Sequence, residues 1–425
     1  MTITASASRG GSQAAGEVAI LEIQAMGARG DGVAGPVFAP FTLSGERVRA
    51  RIAAGRAEAA EILRPSGERV APPCPHFGDC GGCALQHWAH APYLAWKSER
   101  IRLALGRVGI ETEILAPFAA PPGSRRRLAL HARREGGGAV LGFKARRSWR
   151  LAAIEVCTIA DPRLVAAFPA LRRLAAPFLE QARSAPILHV TLTDTGMDVE
   201  VTGVERRGGG LSADARLRVA RLAGEADMAR VTLAGETVYL GRAPTVRLGP
   251  ATVALPPGAF LQAVPAAERA MAEFVARQAA GARRIADLYC GVGTFSFHLA
   301  SLAPVIAADA SAPAVAALRA ALASAPGLHP IAAEARDLDR RPLLAEDLKK
   351  VDVALFDPPR AGAQAQCAQL ARSAVSRAIG VSCDLGTFAR DAATLTGAGF
   401  RLDRLLPVDQ FLWSPHIELV GVFSR

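Results

Sequence analysis

No run of eighteen or more consecutive apolar residues occurs in this 425-residue chain, so none of its segments reads as a membrane-spanning helix. The first fifteen residues are small and polar and lack the apolar core of a signal peptide. They read as part of a disordered tail, residues 1–16, and the chain as cytoplasmic with no membrane partner. Internal repeats are absent, which excludes solenoids and propellers. The seven cysteines are odd in number and unevenly spaced, a poor basis for a disulfide framework. Lysine is rare: arginine carries nearly all of a formal net charge of +11. That balance favours polyanionic partners, although arginine and alanine enrichment also follows from a GC-rich genome.

What is present divides the chain into three parts beyond the tail. From residue 17 to 70 the pattern is short strands and turns. Val18 to Ile23 alternates, Gly27 to Gly32 forms a glycine-rich turn, and further strands follow near Phe38 and from Arg47 to Ile52. Several short strands in so little sequence predict a small closed barrel. Residues 71–255 form a second, β-rich part. It opens on the loop Ala71 to Cys83, where repeated Gly and Pro forbid regular structure, and continues in a helix from Tyr93 to about Val108. A hairpin is expected over Arg125 to Arg150, with nine Arg or Lys against one Glu. From residue 256 to 425 strands and helices alternate, which predicts an α/β domain with an open, mostly parallel sheet.

Asp287-Leu-Tyr-Cys-Gly-Val-Gly-Thr-Phe295 lies at a strand-to-helix junction of that last domain. Its glycines allow the backbone to approach a ligand at the carboxyl end of the first strand. Asp309 ends the next strand, where a carboxylate can accept both hydroxyls of a ribose, and Asp337 follows at the position of an adenine amino group. A dinucleotide site would want a third glycine, but Ser296 stands there. S-adenosylmethionine has no pyrophosphate and does not need that approach.

Leu355-Phe-Asp-Pro-Pro-Arg360 ends another strand; its prolines stiffen a turn that leaves Asp357 facing the crevice. Alone, this turn suits methylation of an exocyclic amine or of a ring carbon. Cys383, embedded in Val381-Ser-Cys-Asp-Leu-Gly-Thr-Phe-Ala-Arg-Asp391, decides between them. C5 of uracil is a poor nucleophile until a thiolate adds to C6 and makes C5 enolate-like. A base must then remove the C5 proton, and Glu418, at the start of the last strand, is the candidate. A lone cysteine of this kind is ordinarily a small buried residue. Its conjunction with the nucleotide site points to catalysis instead. Cys74-x5-Cys80-x2-Cys83, with Cys157 downstream, supplies four thiolates for a tetrahedral site, and spacing alone leaves zinc and [4Fe–4S] open.

Together these residues resemble the RNA uracil-C5 methyltransferases, which act on transfer RNA or large-subunit ribosomal RNA. The likeness runs through nearly the whole chain after residue 16. It implies a Rossmann-like class I methyltransferase domain at the C-terminus, an OB-like TRAM RNA-binding barrel at the N-terminus and a central β-rich iron–sulfur domain. The four cysteines match the family's iron–sulfur members, which favours [4Fe–4S] over zinc. Phe260-Leu-Gln262 matches the family's Phe-x-Gln and implies that Gln262 contacts the cofactor. The match over Asp287 to Gly293 implies contacts from Asp287, Tyr289, Gly291 and Gly293. Asp-Pro-Pro-Arg matches Asp357 to Arg360, and His416-x-Glu418 matches the terminal base motif. Ser382, Cys383, Thr387, Arg390 and Asp391 match the nucleophile motif, but Asp384-Leu385 replaces Asn-Pro, and Asp309 replaces the usual Glu. Members with both cluster and barrel mostly resemble 23S rRNA enzymes, so 23S rRNA is the expected substrate and tRNA the alternative.

For the RNA itself, Arg125, Arg126, Arg127, Arg133, Arg146 and Arg147 offer a phosphate track, with Phe143 and Trp149 as stacking surfaces. The target base must leave its stack to reach Cys383. The expected enzyme is a monomer. An amino-methyltransferase using Asp-Pro-Pro alone, and an RNA-binding protein without catalysis, are the competing expectations.

Overall fold

The computed structural model describes residues 17–136, 138–181, 183–205 and 211–425; the expected tail lies outside the described residues. The chain forms two compact units. One contains the residues through Arg100 together with Leu141–Thr158 and Phe411–Pro415; the other contains Ile101–Val140, Ile159–Gln410 and His416–Arg425. The stretch 71–255 is thus shared between both, whereas 256–425 belongs to the second apart from the excursion at Phe411–Pro415.

In the first unit, six strands between Glu17 and Arg64 form a single sheet. Strand Arg47–Ala53 shows why: Arg47, Arg49 and Arg51 are exposed while Val48 and Ala50 are buried, the period of two that a half-buried strand requires. Val48 and Ala50 join Ile23, Val37, Ala39 and Ala57 in a small core. The buried Glu46 carboxylate accepts the Leu43 N–H at 2.8 Å and pairs with Arg69, closing the sheet's exit loop. The proline- and cysteine-rich segment that follows has turns only. Its end is pinned by Ala84 and Leu85, whose N–H groups both donate to the Trp413 carbonyl at 2.9 and 3.0 Å.

In the second unit, strands Arg127–Glu135, Ile187–Thr193, Gly196–Thr202, Arg230–Leu233 and Glu236–Leu240 make a largely antiparallel sheet. The C-terminal part is built on seven strands: β1 (Ile285–Leu288), β2 (Val305–Asp309), β3 (Ile331–Ala335), β4 (Val353–Phe356), β5 (Arg377–Ser382), β6 (Arg401–Asp409) and β7 (Glu418–Ser424). Their order is 3-2-1-4-5-7-6, parallel through β5, with β7 antiparallel to both neighbours. All four residues of β1 and of β4 are buried, because helices cover both faces and leave no polar side to the strand. Alternate residues feed two cores: Ile285, Val305 and Leu355 one, Ala286, Ala308 and Phe356 the other.

Candidate active site

Strand order reverses between β1 and its two neighbours, β2 and β4, which opens a crevice at the carboxyl ends of the strands. Asp287, Asp309, Asp357 and Cys383 all lie toward that edge: Asp287 is the next-to-last residue of β1, Asp309 closes β2, and Asp357 and Cys383 immediately follow β4 and β5. In the β1 turn Tyr289, Gly291 and Gly293 have φ of 64°, 54° and 96°. A side chain at Gly293 would come within 2.6 Å of the Phe297 ring, so this glycine is needed for close approach as well as for its φ. Asp287 is fully buried; its Oδ2 accepts the Ser296 hydroxyl, while Oδ1 has no hydrogen-bond partner among the described residues. Burial, reinforced by Asp309 and opposed by Ser296, pushes the Asp287 carboxyl up to about 7. Ser296, which takes the place of a third glycine, therefore serves the first acid of the site.

The Asp309 carboxylate accepts the Gly291 N–H at 2.9 Å and the Ser311 N–H at 2.7 Å, tying the first loop to the second. Asp337 accepts the backbone N–H groups of Asp339 and Arg340, and Tyr289 donates its hydroxyl to Asp339 at 3.0 Å. These groups rim the part of the crevice where the sequence places the nucleoside of the cofactor. An orphaned buried carboxylate oxygen beside a side-chain-free turn fits a polar nucleoside-type ligand such as S-adenosylmethionine.

On the other side of β1 lie the groups expected to do chemistry. Asp357 is held well above the usual carboxylate range by burial, then by Glu418, Asp287 and Asp309. Glu418 is also buried, and its carboxyl is pushed up to about 7, with Gln410 and Arg360 opposing the rise. Burial raises the half-buried Cys383 thiol, and Glu418 raises it further. The Arg360 guanidinium, hydrogen-bonded to the thiol, pulls the other way and favours thiolate. Gln262 donates to Asp357 Oδ2 at 3.4 Å. Gln410 donates to Gln262 Oε1 at 2.7 Å and to Glu418 Oε2 at 2.8 Å.

Sequence reading missed Gln410 and gave Arg360 no task of its own. The signal for Gln410 was slight: a polar pair, Asp409-Gln410, closes an otherwise apolar strand end. The Asp384-Leu385 departure changes less than the motif suggests. Asp384 caps helix Leu385–Thr396, its Oδ1 accepting the N–H groups of Gly386 and Thr387 at 2.9 and 3.0 Å, as an Asn would. Leu385 occupies the first helical position, where proline is favoured but not required.

The expected phosphate track is corrected at Arg126. That side chain is buried against Glu268 at 2.6 Å and donates to the Gln262 carbonyl, so it braces the cofactor segment and faces no solvent. Arg127 also turns inward, donating to the Leu261 carbonyl at 2.8 Å. Arg125 bonds the Arg127 carbonyl, and Arg133 is exposed beside Glu135. In the first unit Arg146 and Arg147, with Arg56, converge on the buried Asp31. The four cysteines also meet in the first unit. Burial raises Cys80 to about 11, with Cys157 and Cys74 pushing it further, and Cys83 to about 12, with Cys157, Cys80 and Cys74 pushing it further. None of the four is in a disulfide, and among the described residues no group of three or more His, Cys, Asp or Glu could hold a metal ion as placed.

A 3-2-1-4-5-7-6 sheet with an acid-lined crevice at its carboxyl edge defines a class I S-adenosylmethionine-dependent methyltransferase. The family profile described as tRNA (uracil-5-)-methyltransferase matches residues 250–425. An uncharacterized RNA methyltransferase of Caulobacter vibrioides is 64% identical over 412 residues, covering 95% of this chain and 99% of that protein. The 23S rRNA (uracil(1939)-C(5))-methyltransferase RlmD of Chromohalobacter salexigens is 33% identical, covering 92% and 84%. Among solved structures, the Pyrococcus abyssi tRNA (uracil-54, C5)-methyltransferase shares the fold, with a TM-score of 0.73 at 22% identity and coverage of 96% and 100%. The chain belongs to the RNA uracil-C5 methyltransferase family, enzymes that take their methyl group from S-adenosylmethionine. Among the described residues no helix is long and apolar enough to cross a membrane.

Proposed function

We propose that this enzyme methylates C5 of one uridine in 23S rRNA through a covalent bond between Cys383 and C6 of the base. The observation that carries the reading is the grouping of Cys383, Arg360 and Glu418, in which an arginine opposes the raised thiol and a buried carboxyl sits near neutrality. The Cys383 thiolate, favoured by Arg360, adds to C6 and pushes the C5–C6 electrons toward O4. C5 would then take the methyl group that S-adenosylmethionine supplies when bound, the methyl–sulfur bond breaking with its electron pair left on sulfur. Glu418 takes the C5 proton, and the electrons of that C–H bond re-form C5–C6 and expel the thiolate. Asp357, half-buried and carrying its proton more readily than an ordinary carboxyl, is suited to hydrogen-bond a polar edge of the base or the donor. Gln262, Asp287, Tyr289, Gly291, Gly293, Asp309 and Asp337 line the cofactor side.

The likeness to RlmD along nearly the full chain supports 23S rRNA over tRNA, since the tRNA enzyme is similar in fold alone. The six-stranded sheet over Glu17–Arg64 is taken as the TRAM module, and Arg125, Arg133, Arg146 and Arg147 as the remaining phosphate contacts. Cys74, Cys80, Cys83 and Cys157 would hold a [4Fe–4S] cluster with a structural task. The soft donor set suits it by type, while as placed no three of the described His, Cys, Asp or Glu side chains form a metal-binding group. The enzyme acts as a cytoplasmic monomer in this reading.

The test pairs two measurements. Mapping 5-methyluridine in 23S rRNA and tRNA from a strain lacking the gene should show loss at one rRNA uridine; loss in tRNA alone overturns the substrate. RNA carrying 5-fluorouridine at that position should trap the wild-type protein covalently, because fluorine cannot leave as a cation, and should not trap Cys383→Ala. An equal yield of trapped complex from the variant sinks the nucleophile.

A further inference from the structure

Gln410 immediately follows β6 and is almost wholly buried, eight residues before Glu418. Its Oε1 accepts the Ala263 backbone N–H at 3.0 Å. A backbone N–H only donates, so this contact determines which end of the carboxamide is oxygen. The NH2 group must face the other way, and both its protons are used, one on Gln262 Oε1 and one on Glu418 Oε2. Gln262 is oriented in turn: with its oxygen engaged, its own NH2 faces Asp357 Oδ2.

We infer that Gln410 is a positioning residue that divides the labour of the Glu418 carboxylate, keeping Oε2 as a hydrogen-bond acceptor and leaving Oε1 to receive the C5 proton of the uridine. The inference rests on the reading of Glu418 as the base. A proton on Oε2 would set an O–H against the N–H of Gln410 in a buried site, leaving a donor without an acceptor. Oε1 carries no such conflict. The same contact sets the working range of the base. The charged and titratable groups acting on Glu418 are Arg360, which favours the carboxylate, and Asp357 and Cys383, which disfavour it as thiolate or carboxylate. After burial, the Gln410 hydrogen bond is the foremost influence on Glu418, and it favours the ionised form. Without that donor the carboxyl titrates higher.

The wild-type enzyme should lose turnover as pH falls through about 7, because the base must be ionised to accept the proton. In Gln410→Met, which keeps the length of the side chain and removes the donor, that limb should move up by roughly one unit. Turnover below the limb then falls on the order of tenfold and recovers when pH is raised. Trapping by 5-fluorouridine RNA needs attack and methyl transfer but no proton removal, so in Gln410→Met its pH profile should not move with the turnover limb. Gln410→Glu retains an acceptor for Ala263 and sets a second acid beside Glu418, so its limb should move the same way. Reduced turnover with an unmoved pH limb in both variants overturns the assignment, since a packing defect lowers activity equally at every pH. If the wild type itself forms no trapped complex, the Cys383–Glu418 mechanism fails, and that failure is visible without either variant.

Discussion

Cys383 stands one residue before a helix N-cap, and its reactivity is a contest between burial and a single arginine. Burial and the Glu418 charge raise the thiol, while Arg360 lowers it. Removing the guanidinium should therefore slow the attack step itself. For Arg360→Met we expect the rate of trapping by 5-fluorouridine RNA to fall on the order of tenfold or more at neutral pH, because the thiol then titrates higher. Gln410→Met should leave the pH profile of trapping in place, so the two variants separate attack from proton removal. A trapping rate in Arg360→Met equal to wild type would show that Arg360 does not govern the thiol. Both residues illustrate why the sequence under-reads this site. An arginine after two prolines and a glutamine at a strand end carry no signature of their own, because their roles come from what faces them across the sheet.

Two loops, from β4 and from β5, must be held in register for that contest to take place. The holding is done by residues that the family motif includes without explaining. Asp391 is buried and accepts the Ala363 N–H at 2.7 Å, while Arg390 donates to the Ala361 carbonyl at 2.9 Å. Between those two anchor points lies Gly362, at φ 79°, where an added side chain would come within 2.6 Å of Asp391. Gly362→Ala should thus cost at least about 1 kcal/mol from backbone conformation alone. It should also loosen Arg360 and reduce both trapping and turnover. A thermal melt and a trapping assay on this variant read the two effects; wild-type values in both would remove Gly362 from the argument. The strands of this region were legible in advance, since continuous apolar runs ending in Asp or Cys announce buried parallel strands with functional carboxyl ends. The fastening of one loop to another was not, because it joins residues about thirty positions apart through side chains whose partners sequence does not display.

At the scale of the whole molecule, a net charge of +11 invites the expectation that any arginine near the centre of the chain binds RNA. The structure sorts them. Arg126 and Glu268 form a buried pair whose side chains are 8% and 9% exposed. Breaking such a pair leaves a buried charge uncompensated, at roughly 3–5 kcal/mol. Arg126→Met should accordingly lower the melting temperature clearly while leaving the salt dependence of RNA binding unchanged. Exposed Arg133→Ala should reduce the salt slope with little effect on melting. A salt slope that falls in Arg126→Met would return this residue to the phosphate track. The two units also divide the chain differently from its sequence pattern: Phe411–Pro415 leaves the second unit between Gln410 and His416, and Trp413 receives the N–H groups that follow Cys83.

By itself the sequence determined the class of fold, the family and the residues at the carboxyl ends of the strands. Those follow from local periodicity, from glycine and proline placement and from short motifs, all of which are properties of neighbouring residues. Only the tertiary structure decided which arginines are inside, that Asp384 caps its helix as an asparagine would, and that Gln410 joins Gln262 to Glu418. Each of those depends on burial and on contacts between distant segments. Whether a charged or amide group binds a ligand or braces the fold is settled by what it meets when water is removed.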